Sequence, residues 1–323
     1  MEKKVRVIIP NYNGLDFLTE CIKSLKKQTC NCFDILVVDN GSDDGSRQWL
    51  KKNKIPSLFL TRNRGFAGGV NAGIRISNTK YIILLNNDTI VFEDFVENLL
   101  KRIETSDSIF AVNPMMIQAH RRELIDDAGD GYSIMGWAYQ RGTGEKTDCY
   151  EKAEFIFSAC AGASIYRTDL VKKFGLFDEM HFAYLEDIDL SYRARLAGCI
   201  IIYEPKAKVY HLGSATSGSK YNPFKVRLTA RNNIYLNYKN QSDLQLFINA
   251  LPLILGIVLK GVFFLKKGFL KDYIAGIIEG VCTFKKCRRV DFEKVPIYRI
   301  MAVEFELLLG ALRYTVHFIK RRL

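Results

Sequence analysis

The residues best suited to chemistry are Asn86-Asn87-Asp88, the acidic run Glu186-Asp187-x-Asp189, and His211. Asp88 is the only carboxylate of its turn and would make a weak cation site alone, so a second protein ligand is expected. His211, which ends a strand-like run, is the candidate; the alternative is a histidine hydrogen-bonded within a core or loop. A divalent cation held there would neutralise a diphosphate with little protein reorganisation. The acidic run stands where a helix begins, and the helix dipole alone would favour it. Glu186 and Asp187, however, fall off the apolar stripe of Leu185, Ile188, Tyr192 and Leu196. A carboxylate so exposed, Asp187 above all, is suited to take a proton from an attacking hydroxyl. Asp39 precedes a Gly-Ser-Asp-Asp-Gly turn, where it either accepts hydrogen bonds from a base or ribose or caps the next helix.

Positioning these groups requires an α/β scaffold. Residues 5–9, 35–38, 58–61 and 81–85 are short apolar runs, separated by helical patterns near 15–28, 45–53 and 66–77. Such alternation predicts a mostly parallel sheet covered by helices on both faces. Ligands of such sheets bind beyond the carboxyl ends of the strands. The polar clusters at 10–13, 39–43, 63–65 and 86–88 sit at those ends. Further on, residues 130–147 predict loops or hairpins over the site, and 155–166 a strand interrupted by small residues. A helix is predicted over 184–197, with strands at 200–203 and 207–211.

In this order the elements resemble the family-2 glycosyltransferases of the GT-A fold, especially the rhamnosyl- and galactofuranosyltransferase-like branch. The resemblance rests on Val7-Ile8-Ile9-Pro10-Asn11-Tyr12-Asn13, Val37-Val38-Asp39-Asn40-Gly41-Ser42, Asn63-x-Gly65-Phe66-Ala67-Gly68-Gly69-x-Asn71, Leu84-Leu85-Asn86-Asn87-Asp88, Glu186-Asp187-x-Asp189-Leu190 and His211-x-Gly213-Ser214. It covers residues 5–215 and departs at Asn86, where the family's Asp-x-Asp motif begins with Asp. It implies an inverting transfer of a sugar from a UDP- or dTDP-sugar to a hydroxyl of a saccharide or lipid-linked saccharide, in cell-surface polysaccharide synthesis. Pro10, Asn11, Tyr12, Asn13, Asp39, Asn63, Gly65, Asn71, Asn86 and Asn87 would hold the nucleotide-sugar donor. Asp88 and His211 would hold Mn or Mg, and Asp187 would be the general base. Residues 1–98 would form the donor half of the catalytic domain and 99–215 the acceptor half.

A sugar-nucleotide nucleotidyltransferase is the first rival reading, but its Gly-rich, basic triphosphate loop is absent after the first strand, where Pro10-Asn11-Tyr12-Asn13-Gly14 stands. A non-catalytic nucleotide-sugar module is the second, and the presence of Asp88, Asp187 and His211 argues against it. Should no metal act, a cation on a later helix, Arg231 first, would have to neutralise the diphosphate.

Residues 216–323 predict a helical, basic and apolar appendage. Residues 246–323 carry 14 Lys/Arg against 6 Asp/Glu in a chain of net charge +12, a balance suited to an anionic surface. The twenty-residue apolar run 246–265 is marginal for a membrane span, being broken by Asn249, Pro252 and Lys260. Over 297–323, Arg299, Glu306, Arg313 and Lys320 recur every seven residues, with Gly310 and His317 on their face and apolar residues elsewhere. That pattern predicts a helix lying in a membrane interface, or else one packed on the catalytic domain or mediating homo-oligomerisation. Nucleic acid is not expected, because the basic residues alternate with long aliphatic runs rather than stacking aromatics. The eight cysteines show no metal or disulfide spacing and read as free cytosolic thiols. The apolar run after Lys3 and Lys4 is too short for a signal peptide, so the expected location is the cytoplasm, peripheral on the inner face of the plasma membrane. Every candidate site residue precedes residue 240, which predicts that the chain to that point keeps its donor chemistry.

Overall fold

A computed structural model describes residues 3–213 and 221–320, and side chains as far as 316. Ser214 of the closing motif, and the side chains of His317 and Lys320, lie outside the described residues.

The first four strands, β1 (Val5–Asn11), β2 (Phe33–Asp39), β3 (Ser57–Phe59) and β4 (Tyr81–Leu84), are parallel. Helices α1 (Leu15–Leu25), α2 (Ser46–Lys52) and α3 (Gly65–Arg75) make the crossovers, as the pattern predicts. The chain continues through β5 (Thr89–Val91), α4 (Phe95–Ile103), β6 (Ile109–Gln118) and β7 (Ile125–Asp127). A hairpin of β8 (Asp130–Tyr132) and β9 (Ala138–Gln140) stands where a hairpin is predicted. Then come β10 (Glu154–Phe155), β11 (Ile165–Arg167), α5 (Thr168–Lys173), α6 (Glu186–Leu196) and β12 (Ile200–His211).

The large sheet runs β10-β12-β6-β11-β4-β1-β2-β3, with β5 against β12 and β7 against β6. Strand β11 lies between β4 and β6 and pairs antiparallel with both, and β10, β5 and β7 pair antiparallel with β12, β12 and β6. Successive residues of β1 alternate between the two covered faces. Val7 and Ile9 pack with Leu18, Ile22 and Leu25 of α1, while Ile8 packs with Val70 and Ile74 of α3. The whole of β4 is buried, which is why its sequence reads as an unbroken apolar run.

One expected strand is not formed. Residues 155–166 make β10, a folded loop and the start of β11 rather than one interrupted strand. The small residues leave room for side chains distant in sequence to bond the loop backbone, so no sheet partner is needed. Asn113 Oδ1 accepts from Cys160 N at 2.8 Å, and Asp187 Oδ2 accepts from Ala161 N at 3.2 Å.

Among the described residues five α-helices follow: α7 (Pro223–Asn240), α8 (Asp243–Ile248), α9 (Ala250–Lys266), α10 (Leu270–Thr283) and α11 (Ile297–Lys320). The apolar run 246–265 is divided between α8 and α9 at Asn249. No helix among the described residues is long and apolar enough to cross a membrane. The appendage packs on the α/β layer: Ile300, Val303 and Leu307 of α11 are buried with Tyr192 and Leu196 of α6 and Leu236 of α7.

Candidate active site

The end of β1 and the turn after β4 are stitched side by side. Asn87 Nδ2 donates to Asn11 Oδ1 at 2.7 Å, and Asn11 Nδ2 donates to Ser42 Oγ at 3.3 Å. Asn13, with φ of 50°, accepts from Asp43 N at 2.9 Å and so closes the β1 turn on the β2 turn. Pro10 is the penultimate residue of β1, and Tyr12 projects exposed beside it. Asp39 is fully buried. Its Oδ1 accepts from Arg47 Nε at 2.6 Å and from Ser42 N at 3.3 Å, whereas its Oδ2 has no hydrogen-bond partner. A buried carboxylate oxygen without a donor is costly, and it fits an N–H or O–H supplied by a ligand.

Asn63 and Gly65 shape the entrance to α3. Asn63 Oδ1 accepts from Gly65 N at 2.8 Å and from Asn40 Nδ2 at 3.1 Å. Gly65 has φ of 73°, and a Cβ there would lie 2.3 Å from the Phe182 carbonyl oxygen, so no other residue fits. Asn71 is not brought to the group. Its Nδ2 donates to Phe177 O and Glu179 Oε1, and its Oδ1 accepts from Phe177 N, so its amide is spent clamping 177–179 to α3.

Asp88 and His211 do meet. Strand β12 runs antiparallel to β5 with His211 opposite Thr89, which sets the ring beside Asp88. His211 Nε2 lies 3.3 Å from Asp88 Oδ1 without making a hydrogen bond. Two ligands of an octahedral ion at bond lengths of about 2.1 Å lie about 3 Å apart, so this separation fits one cation between them. The other ring nitrogen, Nδ1, is 2.7 Å from Asp126 Oδ2. A carboxylate behind a metal-binding imidazole fixes ring orientation and basicity. Burial alone would lower the His211 pKa, but Asp126 and Asp88 together raise it to about 10.

The helix-opening carboxylates divide into three roles. Asp189 is fully buried and bonded to Lys239 Nζ at 2.9 Å, Arg193 Nη2 at 2.7 Å and Asn240 Nδ2 at 2.8 Å. Burial opposes its charge, but Arg193 and Lys239 hold its pKa well below the usual carboxylate range. Glu186 is buried with Oε2 unpartnered, and burial together with Asp187 pushes its pKa well up. Asp187 alone of the three is partly accessible, its carboxylate oriented by Ala161 N and Ile188 N. Burial raises its pKa against those two donors, which makes it a better proton acceptor near neutrality.

Three further residues carry no motif in the sequence. Asp127 and Asp130 lie beside Cys160, close enough to Asp187 for its charge to act on Asp130, and burial pushes Asp127 to about 6 and Asp130 well up. Asn232 of α7 is fully buried. Its Nδ2 donates to the carbonyls of His181, Ala183 and Tyr184 at 2.9, 2.9 and 2.8 Å. Those carbonyls belong to the turn entering α6, where Phe182, Tyr184 and Leu185 all have positive φ of 63°, 71° and 67°. Such strain persists only where the surroundings enforce it. Only the positive-φ run marks this turn, and sequence patterns do not show it. Arg231, next in line, is engaged by Glu279 and by the carbonyls of Met180 and His181.

Residues 6–175 match the model of glycosyl transferase family 2. A glycosyltransferase of Rickettsia typhi is 26% identical over 87% of this chain and 88% of its own length. A second from Rickettsia conorii is 37% identical over 34% of this chain, and GlyG of Streptococcus pneumoniae 30% over 33%. The matched stretches span only 19% and 38% of those two proteins. Among solved structures, GalNAc-T7 with UDP, GalNAc and Mn2+ superposes with a TM-score of 0.62 at 15% identity, covering 93% of this chain and 58% of that one. The mannosyltransferase PcManGT from Pyrobaculum calidifontis, in complex with GDP-Man and Mn2+, gives 0.53 at 13%, covering 97% and 86%. At such identities the structures establish a shared GT-A fold. With more than half of the chain inside the family model, the protein belongs to glycosyl transferase family 2.

Proposed function

We propose that the protein transfers a sugar, with inversion, from a UDP- or dTDP-linked donor to a hydroxyl of a saccharide or lipid-linked saccharide in cell-surface polysaccharide synthesis. The observation that carries the proposal is the convergence of Asp88 and His211, with Nε2 unbonded and Nδ1 held by Asp126. Bound between them, Mn or Mg would supply the positive charge that a departing diphosphate requires. GalNAc-T7 holds UDP with Mn2+ and PcManGT holds GDP-Man with Mn2+, which supports this reading.

In this account Asp187 accepts the proton of the acceptor hydroxyl as its oxygen attacks the anomeric carbon. Asp39 offers its unpaired Oδ2 to a donor group of the base or ribose, while Pro10, Asn11, Tyr12 and Asn13 form the neighbouring wall. Asn63 and Gly65 fix the loop entering α3, Asn87 ties the cation turn to the base-binding turn, and Asn86, whose N–H donates to Gly162 O, joins it to the 160–162 loop on the donor side. Asn71 acts from behind, by clamping 177–179. Residues 1–98 thus form the donor half and 99–215 the acceptor half. Residues 216–323 bring the enzyme to the inner face of the plasma membrane.

The test is thermal stabilisation by a panel of nucleotide sugars, with Mn or with chelator. A true donor at 100 times its Kd should stabilise by about 2.7 kcal/mol, and only with the metal present. Stabilisation by no nucleotide sugar would sink the proposal.

A further inference from the structure

Helix α11 is apolar on its outer side as well as on the inner side that buries Ile300, Val303 and Leu307. The face bearing Arg299, Glu306 and Gly310 turns inward. Glu306 pairs with Arg195, Arg299 Nη1 donates to Ala197 O at 2.5 Å, and Gly310 sits against the Tyr132 carbonyl, where a Cβ would come within 2.1 Å. The opposite face is exposed and apolar: Ile297, Met301, Phe305, Leu308, Leu312 and Val316, at the spacing of one helical stripe. Helix α9 does the same. Its Gly256 lies against Met135 O and accepts from Trp137 Nε1 at 3.1 Å, so α9 grips the same β8–β9 hairpin that α11 packs on. Outward it presents Leu251, Ile254, Leu255, Val258 and Val262, with no charged residue among them.

A water-soluble surface does not carry two such stripes uncovered. The charge around them identifies the cover. Lys266, Lys267, Lys271, Lys285, Lys286 and Arg288 have no ion pair among the described residues, and residues 246–323 total +8 (14 Lys/Arg less 6 Asp/Glu). Two copies of so basic a face would repel, whereas an anionic lipid surface attracts it while receiving the apolar side chains.

We propose that the outward faces of α9 and α11 form one docking platform for an anionic bilayer, into which Leu251, Leu255, Met301 and Leu312 insert while the surrounding lysines contact lipid phosphates. This deepens the membrane reading above and is tested without turnover, so its failure leaves the donor chemistry standing. The full chain is floated with vesicles of phosphatidylglycerol and phosphatidylcholine, and with phosphatidylcholine alone, at about 0.05 and 0.5 M salt.

The wild type should partition at least tenfold more strongly to the anionic vesicles, and less at high salt, because screening shortens to a few Å. Leu251→Glu with Leu255→Glu, and Met301→Glu with Leu312→Glu, should each reduce partitioning at least tenfold. Both pairs alter exposed positions, so nucleotide-sugar binding should be unchanged, which reports that the fold is intact. Replacing Lys266, Lys267 and Lys271 by Gln should remove most of the salt dependence. Failure of the wild type to float, or flotation unaffected by both Glu pairs, overturns the proposal. So does a concentration-dependent dimer in sedimentation that the Glu pairs dissolve, since a second copy would then be what covers the stripes.

Discussion

Asp187 differs from its two acidic neighbours in being partly accessible and in having only backbone donors. Asp187→Asn removes the proton acceptor and keeps one of those two contacts, because its amide has a single acceptor oxygen. Turnover should fall by about 10²–10⁴-fold, with donor binding by calorimetry unchanged. The acid limb of the wild-type pH profile should lie above the usual carboxylate value near 4, because burial raises the Asp187 pKa and the base works only when ionised. Asp189 behaves oppositely. Its depressed pKa contributes stability that is present above the unfolded value near 4 and lost as pH falls toward the folded one. Asp189→Asn leaves Lys239 with Asp178 as its one carboxylate, and unfolding by urea should show a loss of about 3–5 kcal/mol. The sequence made Asp88, Asp187 and His211 legible because each ends or begins a regular element. Asp126 was not legible, since its place behind His211 depends on a bulge in the β6–β7 pairing. Asn71 misled because its motif position says nothing of where its amide turns.

At the scale of elements, the turn before α6 is held from two sides. Gly65 admits the Phe182 carbonyl from α3, and Asn232 gathers three carbonyls from α7. Asn232→Ala should therefore lower kcat more than tenfold while leaving the donor Kd within about twofold, since the donor turns lie on other strands. A Kd that rises in step with the loss of kcat would show a general collapse rather than a misplaced Asp187. The strands and crossover helices of the first hundred residues were readable because each has one period and buried neighbours. The strand expected at 155–166 was not formed, because Asn113 and Asp187, distant in sequence, satisfy its backbone. Local pattern cannot reveal such partners.

Across the whole molecule, the catalytic layer and the appendage share a core. Leu307 is fully buried against elements on both sides, and Leu307→Ala should cost about 2–5 kcal/mol, visible as a lower Tm. Ending the chain after Asn240 removes Ile300, Val303 and Leu307 from Tyr192 and Leu196, so the truncated form should unfold or aggregate, contrary to the expectation from sequence. The seven-residue polar repeat of α11 was legible, but the side it faces was not: pattern alone gives a helix two faces without saying which meets the protein. The account as a whole rests on one displacement at the anomeric carbon, assisted by Asp187 and by a cation at Asp88 and His211. Its most direct test is NMR of the sugar released or transferred from the stabilising donor in the presence of Mn, read before mutarotation. The account predicts a product of inverted anomeric configuration, formed only with metal and lost in Asp187→Asn. A product of retained configuration, or inverted product formed equally well by Asp187→Asn, would contradict it.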